Sequence, residues 1–154
     1  MNIVTPSIFE DSVFTSSYGG KSLRFVLSAN SGSIDVREVW TNKAQGYMSS
    51  PVVIDGHVYL HLRNQRFTCI DLATGETKWT TTPFGKYWSM IVNGDRILAL
   101  DQKGELLLIH ASPEKFNLID TREISDEETW AHLAVAGKTL FVRELNAIAA
   151  FTWE

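Results

Sequence analysis

Aromatic residues that also carry a polar tip, Tyr47, Tyr87, Trp88, Trp130 and His132, are the chain's best material for binding chemistry. Such side chains stack on flat apolar groups while their polar atoms fix orientation, and ligand and partner sites are often built from them. The plainer role for Tyr87, Trp88 and Trp130 is packing between neighbouring strands, as buried aromatics usually do. Patterns for catalysis or metal binding are missing. His57 and His61 stand four apart, which on a strand separates them by roughly 13 Å along one face, too far to share a metal. There is no His-Glu-x-x-His, no Cys-x-x-Cys, no Gly-x-Ser-x-Gly and no phosphate loop. Asp126-Glu127-Glu128 reads as a solvated loop between strands, and Cys69 as a small core residue.

The elements that must position these residues are strands joined by tight turns. From Cys69 to Trp79 an apolar strand end runs into Asp71, then a Thr74-Gly75 turn, then a polar strand closed by Trp79. Gly75 supplies positive φ without steric penalty, and Asp71 and Thr74 can hydrogen-bond the turn's own backbone. Trp79 then has a fixed place to dock against a neighbouring unit. Other segments break at Asp55-Gly56, Asn93-Gly94 and Ala136-Gly137 and restart as β-rich runs, with a weaker copy at Glu10-Asp11. Asp-Gly and Asn-Gly between apolar runs are strong hairpin signals. Asp11, Gly56, Gly94 and Gly137 recur about every 40 residues, the period of a propeller blade. No segment sustains the spacing of an amphipathic helix.

The spacing places blades at 1–46, 47–86, 87–128 and 129–154 within one domain, the last lacking its outer strand. A gapless match of the third blade to the second puts His110 opposite Asp71 and Leu118 opposite Trp79. Loops between blades share one face with loops between second and third strands. That face would gather the five aromatics with Arg63, Asn64, Arg66, Asp101, Lys103, Arg143 and Glu144.

The motif Cys69-x-Asp71-x-x-Thr74-Gly75-x-x-x-Trp79 resembles the tryptophan-docking motif of the pyrroloquinoline-quinone-type β-propeller repeat, usually Ala-x-Asp-x-x-Thr-Gly-x-x-x-Trp. The resemblance implies an all-β, quinoprotein-like β-propeller arc of four blades. Larger members carry about eight blades, and the chain is similar to the C-terminal half of one. Quinone enzymes of this class hold a metal-bound quinone with a carboxylate and amide set, often beneath a vicinal disulfide. A single cysteine makes that disulfide impossible, and no Asp or Glu stands alone at an inner-strand start. The expectation is therefore no enzyme, no cofactor and no metal.

Many members of the superfamily lack the cofactor and act as scaffolds, which makes a protein-interaction module the leading expectation. A small-molecule or sugar-binding module, a degenerate quinoprotein using the aromatic funnel, is the alternative. Both chain ends are as apolar as the middle, so an open arc would leave two sticky faces. A homodimer closing one ring from two arcs resolves this, with Met1 to Val4 of a second copy as one source of the missing strand. A monomeric four-bladed disc and a separately encoded other half are the rivals. A net charge of −4 without a basic block argues against nucleic acid and anionic membranes. No signal peptide or span is visible, which suggests a cytoplasmic protein. Truncating a docked tryptophan costs about 3–5 kcal/mol, so Trp79→Ala should lower the melting temperature sharply; a change within a degree or two would refute the docking role.

Overall fold

The computed structural model describes residues 4–153. Four antiparallel sheets follow one another along the chain, with no helix among the described residues. The first comprises β1 (Ser7–Phe9), β2 (Ser12–Ser16), β3 (Ser22–Asn30) and β4 (Ser33–Asn42). The second holds β5 (Val52–Ile54), β6 (His57–His61), β7 (Arg66–Asp71) and β8 (Thr77–Pro83), and the third β9 (Ser89–Asn93), β10 (Arg96–Leu100), β11 (Glu105–His110) and β12 (Asn117–Glu123). The fourth has only β13 (Ala134–Ala136), β14 (Thr139–Arg143) and β15 (Ile148–Thr152).

Within each sheet every strand pairs with its sequence neighbour, so all connections are hairpins. The Asp55-Gly56 turn has φ of 46° and 70° at its two central residues, the left-handed pair that matches the twist of flanking strands. Each sheet carries one recurring bond to the first turn's carbonyl, from an amide within the long third strand of the first sheet and from the amide just after the third strand in the other three. It runs from Leu27 to Asp11 (3.1 Å), Leu72 to Gly56 (2.9 Å), Ala111 to Asp95 (2.9 Å) and Trp153 to Lys138 (3.2 Å). The sheets are thus four copies of one unit, and the fold is a β-propeller arc.

Sheets meet face to face, which is why β6 is buried from Val58 to His61 on both of its faces. The first seam packs Phe14 and Trp40 against Val58, Leu60, Ile70 and Leu72. Trp40 Nε1 donates to the Leu72 carbonyl at 2.9 Å, and its ring lies on the Thr74-Gly75 turn. A Cβ added at Gly75 would sit 2.6 Å from that ring, so glycine is required both by φ (78°) and by the approach of Trp40. Asp71 holds the turn, its carboxylate accepting from the Thr74 amide and its carbonyl from the Gly75 amide, each at 2.8 Å.

The second seam repeats this with Trp79. Its Nε1 donates to the Ser112 carbonyl at 2.9 Å, and its ring packs with Tyr59, Phe67 and Phe116. Cys69, fully buried opposite it, has its thiol pushed up to about 11 by burial, so it is inert.

At the third seam the tryptophan is missing. The gapless match placed Leu118 there, but the turn into the outer strand is two residues longer than in the second sheet, Ile109 pairing with Leu118 where Ile70 pairs with Thr77, and Asp120 takes the register place of Trp79. Asp120 pairs with Arg122 at 3.1 Å, and a groove of about 580 Å³ remains between the third and fourth sheets, lined by Leu98, Leu106, Leu108, Leu140 and Phe151.

The arc is open. By strand alternation Ile8, Val13, Leu23, Phe25, Leu27, Ile34 and Val36 share the face of the first sheet turned away from Phe14. Ile8 (76%) and Ile34 (70%) are largely exposed there. On the fourth sheet Phe141, Ile148 and Ala150 share the face turned away from Leu140 and Val142, and Ile148 is 72% exposed. The Met1 to Val4 strand expectation falls mostly outside the described residues. Val4 itself is buried beside Gly46, within the first seam. Filling a cavity typically gains about 0.5–2 kcal/mol, and the exposed Asp120–Arg122 pair contributes little. Asp120→Trp should therefore raise the melting temperature by a few degrees in a thermal scan, and a drop would show that the groove is not a vacated tryptophan site.

Candidate functional site

One face of the arc is stitched by backbone hydrogen bonds that alternate between loops joining sheets and turns joining second to third strands. Arg63 N donates to Gln45 O (2.8 Å), Phe84 N to Gln65 O (2.7 Å), Gln102 N to Lys86 O (3.0 Å) and Thr129 N to Gln102 O (3.0 Å). Side chains extend the rim, with Gly46 N bound to Ser16 Oγ and Leu133 N to Ser89 Oγ, both at 2.7 Å. Buried Asp101 shapes its own turn by accepting from the Lys103 and Glu105 amides at 2.8 and 3.0 Å, and burial raises its pKa.

This rim carries a continuous row of aromatic rings. Tyr18 lies 4.9 Å from Tyr47, Tyr47 5.5 Å from Tyr87, and Tyr87 4.9 Å from Trp130, each pair tilted. The row takes one ring from a loop of each sheet. Arg63, hydrogen-bonded to Gln45 Oε1 at 2.9 Å, sits 4.9 Å above the Tyr18 ring, a cation–π contact. A hydrogen bond with Tyr87 raises the pKa of Tyr47, opposed by the charge of Lys86.

Beneath the first three rings is a cavity of about 250 Å³, lined also by Ser49, His61, Gln65 and Lys86. Gln65 (φ 66°) and Tyr87 (φ 56°) are left-handed non-glycine residues; of the five such residues described, only Tyr87 lies outside a strand hairpin. Bulky residues in that region are strained, and such strain concentrates at functional sites. His61 is 2% exposed, stacked on Trp88 at 4.8 Å and 3.5 Å from Ser49 Oγ. Burial lowers its pKa to about 4, with the Gly85 backbone pulling weakly the other way.

Of the five aromatics singled out in the sequence, Tyr47, Tyr87 and Trp130 are brought together. Trp88 is buried in the second seam among Phe67, Phe84 and His61 and serves the core. His132 is exposed and approaches Ser89 Oγ at 3.5 Å, away from the row. Arg66 clamps the Thr81 carbonyl at 2.7 Å, and Asn64 caps the amide of Arg66. Arg143 and Glu144 border a shallow depression beside Trp130. Tyr18 and His61 escaped the sequence reading; Tyr18 occupies the first sheet's counterpart of the Arg63 and Lys103 turns, which the repeat register signals. Among the described residues no group of three or more His, Cys, Asp or Glu side chains is placed to hold a metal ion.

The family described as outer membrane protein assembly factor BamB matches residues 2–81. The chain belongs to that family. Within it, the BamB protein of Salmonella typhimurium is 36% identical over 61 residues, 40% of this chain and 15% of that protein. The crystal structure of BamB from Moraxella catarrhalis superposes with a TM-score of 0.74 at 15% identity, covering 96% of this chain and 41% of that one. The chain therefore spans less than half the length of these relatives. Outside the family, the computationally designed Ika4 protein matches with a TM-score of 0.66 at 7% identity, covering 96% of this chain and 88% of that one. These likenesses establish the propeller fold.

Buried neutral His61 ties stability to pH. Its folded pKa lies near 4, against 6.5 for the free side chain, so between those values the unfolded chain binds the proton more readily. Its contribution is complete above pH 6.5 and is lost as pH falls toward 4, by about 3 kcal/mol in all. Thermal scans from about pH 7 to pH 4 should show a steeper loss in the wild type than in His61→Gln. Asp101 titrates in both proteins and cancels, so parallel curves would refute the assignment.

Proposed function

We propose that the chain is a non-catalytic protein-interaction scaffold whose four-sheet arc closes with a second copy into one eight-bladed ring. The observation that carries this is the pair of uncovered apolar faces at the two ends of the arc. Ile8, Ile34 and Val36 at one end and Phe141, Ile148 and Ala150 at the other are the residue types that the internal seams bury. Burial gains roughly 25 cal/mol per Å² of apolar surface, so leaving both faces in water is costly. Under two-fold symmetry the first sheet of each copy meets the fourth of the other, giving two identical seams that continue the packing inside each arc. The family name speaks for an assembly role.

Light scattering after gel filtration should give a mass near twice 17.3 kDa that survives dilution. Ile148→Asp, at an exposed position, should return it to one chain with an unchanged β-sheet spectrum. A single-chain mass for the wild type at every concentration would overturn the ring.

A further inference from the structure

We propose that the groove between the third and fourth sheets binds an uncharged indole-type arene, its ring in the place that Trp40 and Trp79 take at the other two seams. The site lies within one chain and does not depend on ring closure.

Register carries the argument. Trp40 stands opposite Arg24, Trp79 opposite Cys69 and Asp120 opposite Leu108, the same step of three successive sheets. The recurring bonds made by the Leu27, Leu72 and Ala111 amides fix that step. Counted from them, Leu98, Leu106 and Leu108 of the third sheet hold the places of Tyr59, Phe67 and Cys69 in the second. Tyr59 and Phe67 lie 6.0 and 5.7 Å from the Trp79 ring, and Cys69 pairs with Trp79 directly. On the other wall, Leu140 and Phe151 hold the places of Ile97 and Ile109, two residues of the core that Trp79 packs against. All five of these third- and fourth-sheet residues line the groove. The walls of an indole site are thus kept while its indole is replaced by Asp120.

Exposure shows what the replacement leaves open. Tyr59, Phe67 and Cys69 are buried, whereas Leu98, Leu106 and Leu108 are only half-buried. A flat ring laid on them removes that apolar surface from water, as the two tryptophans do at their own seams. An apolar cavity of about 150 Å³ lined by Leu, Ile and Phe takes up benzene. This groove has the same lining types and a volume of about 580 Å³, room for two fused rings.

Polar groups narrow the class. Asp120 and Arg122, the charged side chains of the lining, are exposed and paired with each other at 3.1 Å, so an acid or amine arm gains little from either. An acceptor for a ring N–H is in place. Trp40 donates to the Leu72 carbonyl, and the recurring bond puts Trp153, which also lines the groove, at the Leu72 position of the fourth sheet. An uncharged bicyclic ring with one N–H matches walls, charge and acceptor together.

Titration calorimetry with indole, 1-methylindole, indole-3-acetate and tryptamine tests the assignment. Indole should bind at about millimolar affinity or better, and 1-methylindole about fivefold more weakly for want of the hydrogen bond. The two charged ligands should stay within about threefold of indole. Asp120→Trp, which fills the place from within, should weaken indole binding at least about tenfold. Methyl resonances of Leu98, Leu108 and Leu140 should shift on adding indole to the wild type, a readout that needs no substituted protein. The proposal fails if indole does not bind at about 10 mM, if those methyl groups do not move, if 1-methylindole binds equally well, or if either charged ligand binds about tenfold more tightly. Undiminished indole binding by a folded Asp120→Trp protein would also overturn it.

Discussion

Each complete seam of this molecule depends on a tryptophan that leaves the outer strand of one sheet and hydrogen-bonds a carbonyl of the next. Trp40 reaches Leu72 and Trp79 reaches Ser112, both at 2.9 Å. The indole does two things together: it excludes water from a large apolar area and satisfies its own N–H on a backbone group that would otherwise face solvent. The Thr74-Gly75 turn is the receiving surface, and this explains why a motif that looks like a local turn signal is a statement about two sheets. Its glycine serves the chain's path and the neighbour's ring in equal measure. Where Asp120 stands in the tryptophan's place, the seam relies on Leu100, Leu133, Leu140 and Val142 near the inner strands, and its outer part stays open.

The stitched rim is the second constraint. Loops are ordinarily the mobile part of a fold, yet here each inter-sheet loop is bonded to a turn between second and third strands, and the loop between the second and third sheets to one on either side. That lattice lets rings from four different loops keep contact distances of 4.9 to 5.5 Å. Gln65, which accepts one of these bonds, and Tyr87 hold left-handed backbone geometry beside the cavity.

Much of the fold was legible because propeller units repeat both their turns and their burial. Asp55-Gly56 and Asn93-Gly94 announce hairpins, and the approximately 40-residue recurrence counts sheets. The third outer strand was misread because a longer turn is invisible to gapless spacing: Ile109 pairs with Leu118, nine residues on, where Ile70 pairs with Thr77, seven residues on, and the two extra residues put Asp120 where Leu118 was expected. The site was legible only in part. Tyr47, Tyr87 and Trp130 share loop positions that the repeat reveals, whereas Trp88, next to Tyr87, points into the core, since adjacent residues at a strand entrance face opposite ways. His61 sits at the end of a strand like any apolar residue, and only packing against Trp88 makes it a buried titratable group.

The two docking tryptophans, Trp40 and Trp79, both reach forward along the chain, and this has a consequence for synthesis. Trp40 waits for Leu72 and Gly75, which leave the ribosome more than thirty residues later, and Trp79 likewise waits for Ser112. Neither of the first two units can be sealed by what precedes it. At about 5–20 residues per second the delay is some seconds for each unit, during which an apolar indole and an apolar sheet face are presented to the surroundings. The nascent chain therefore matures as a zipper running one unit behind translation, and its newest piece is always the one that a holdase would recognise.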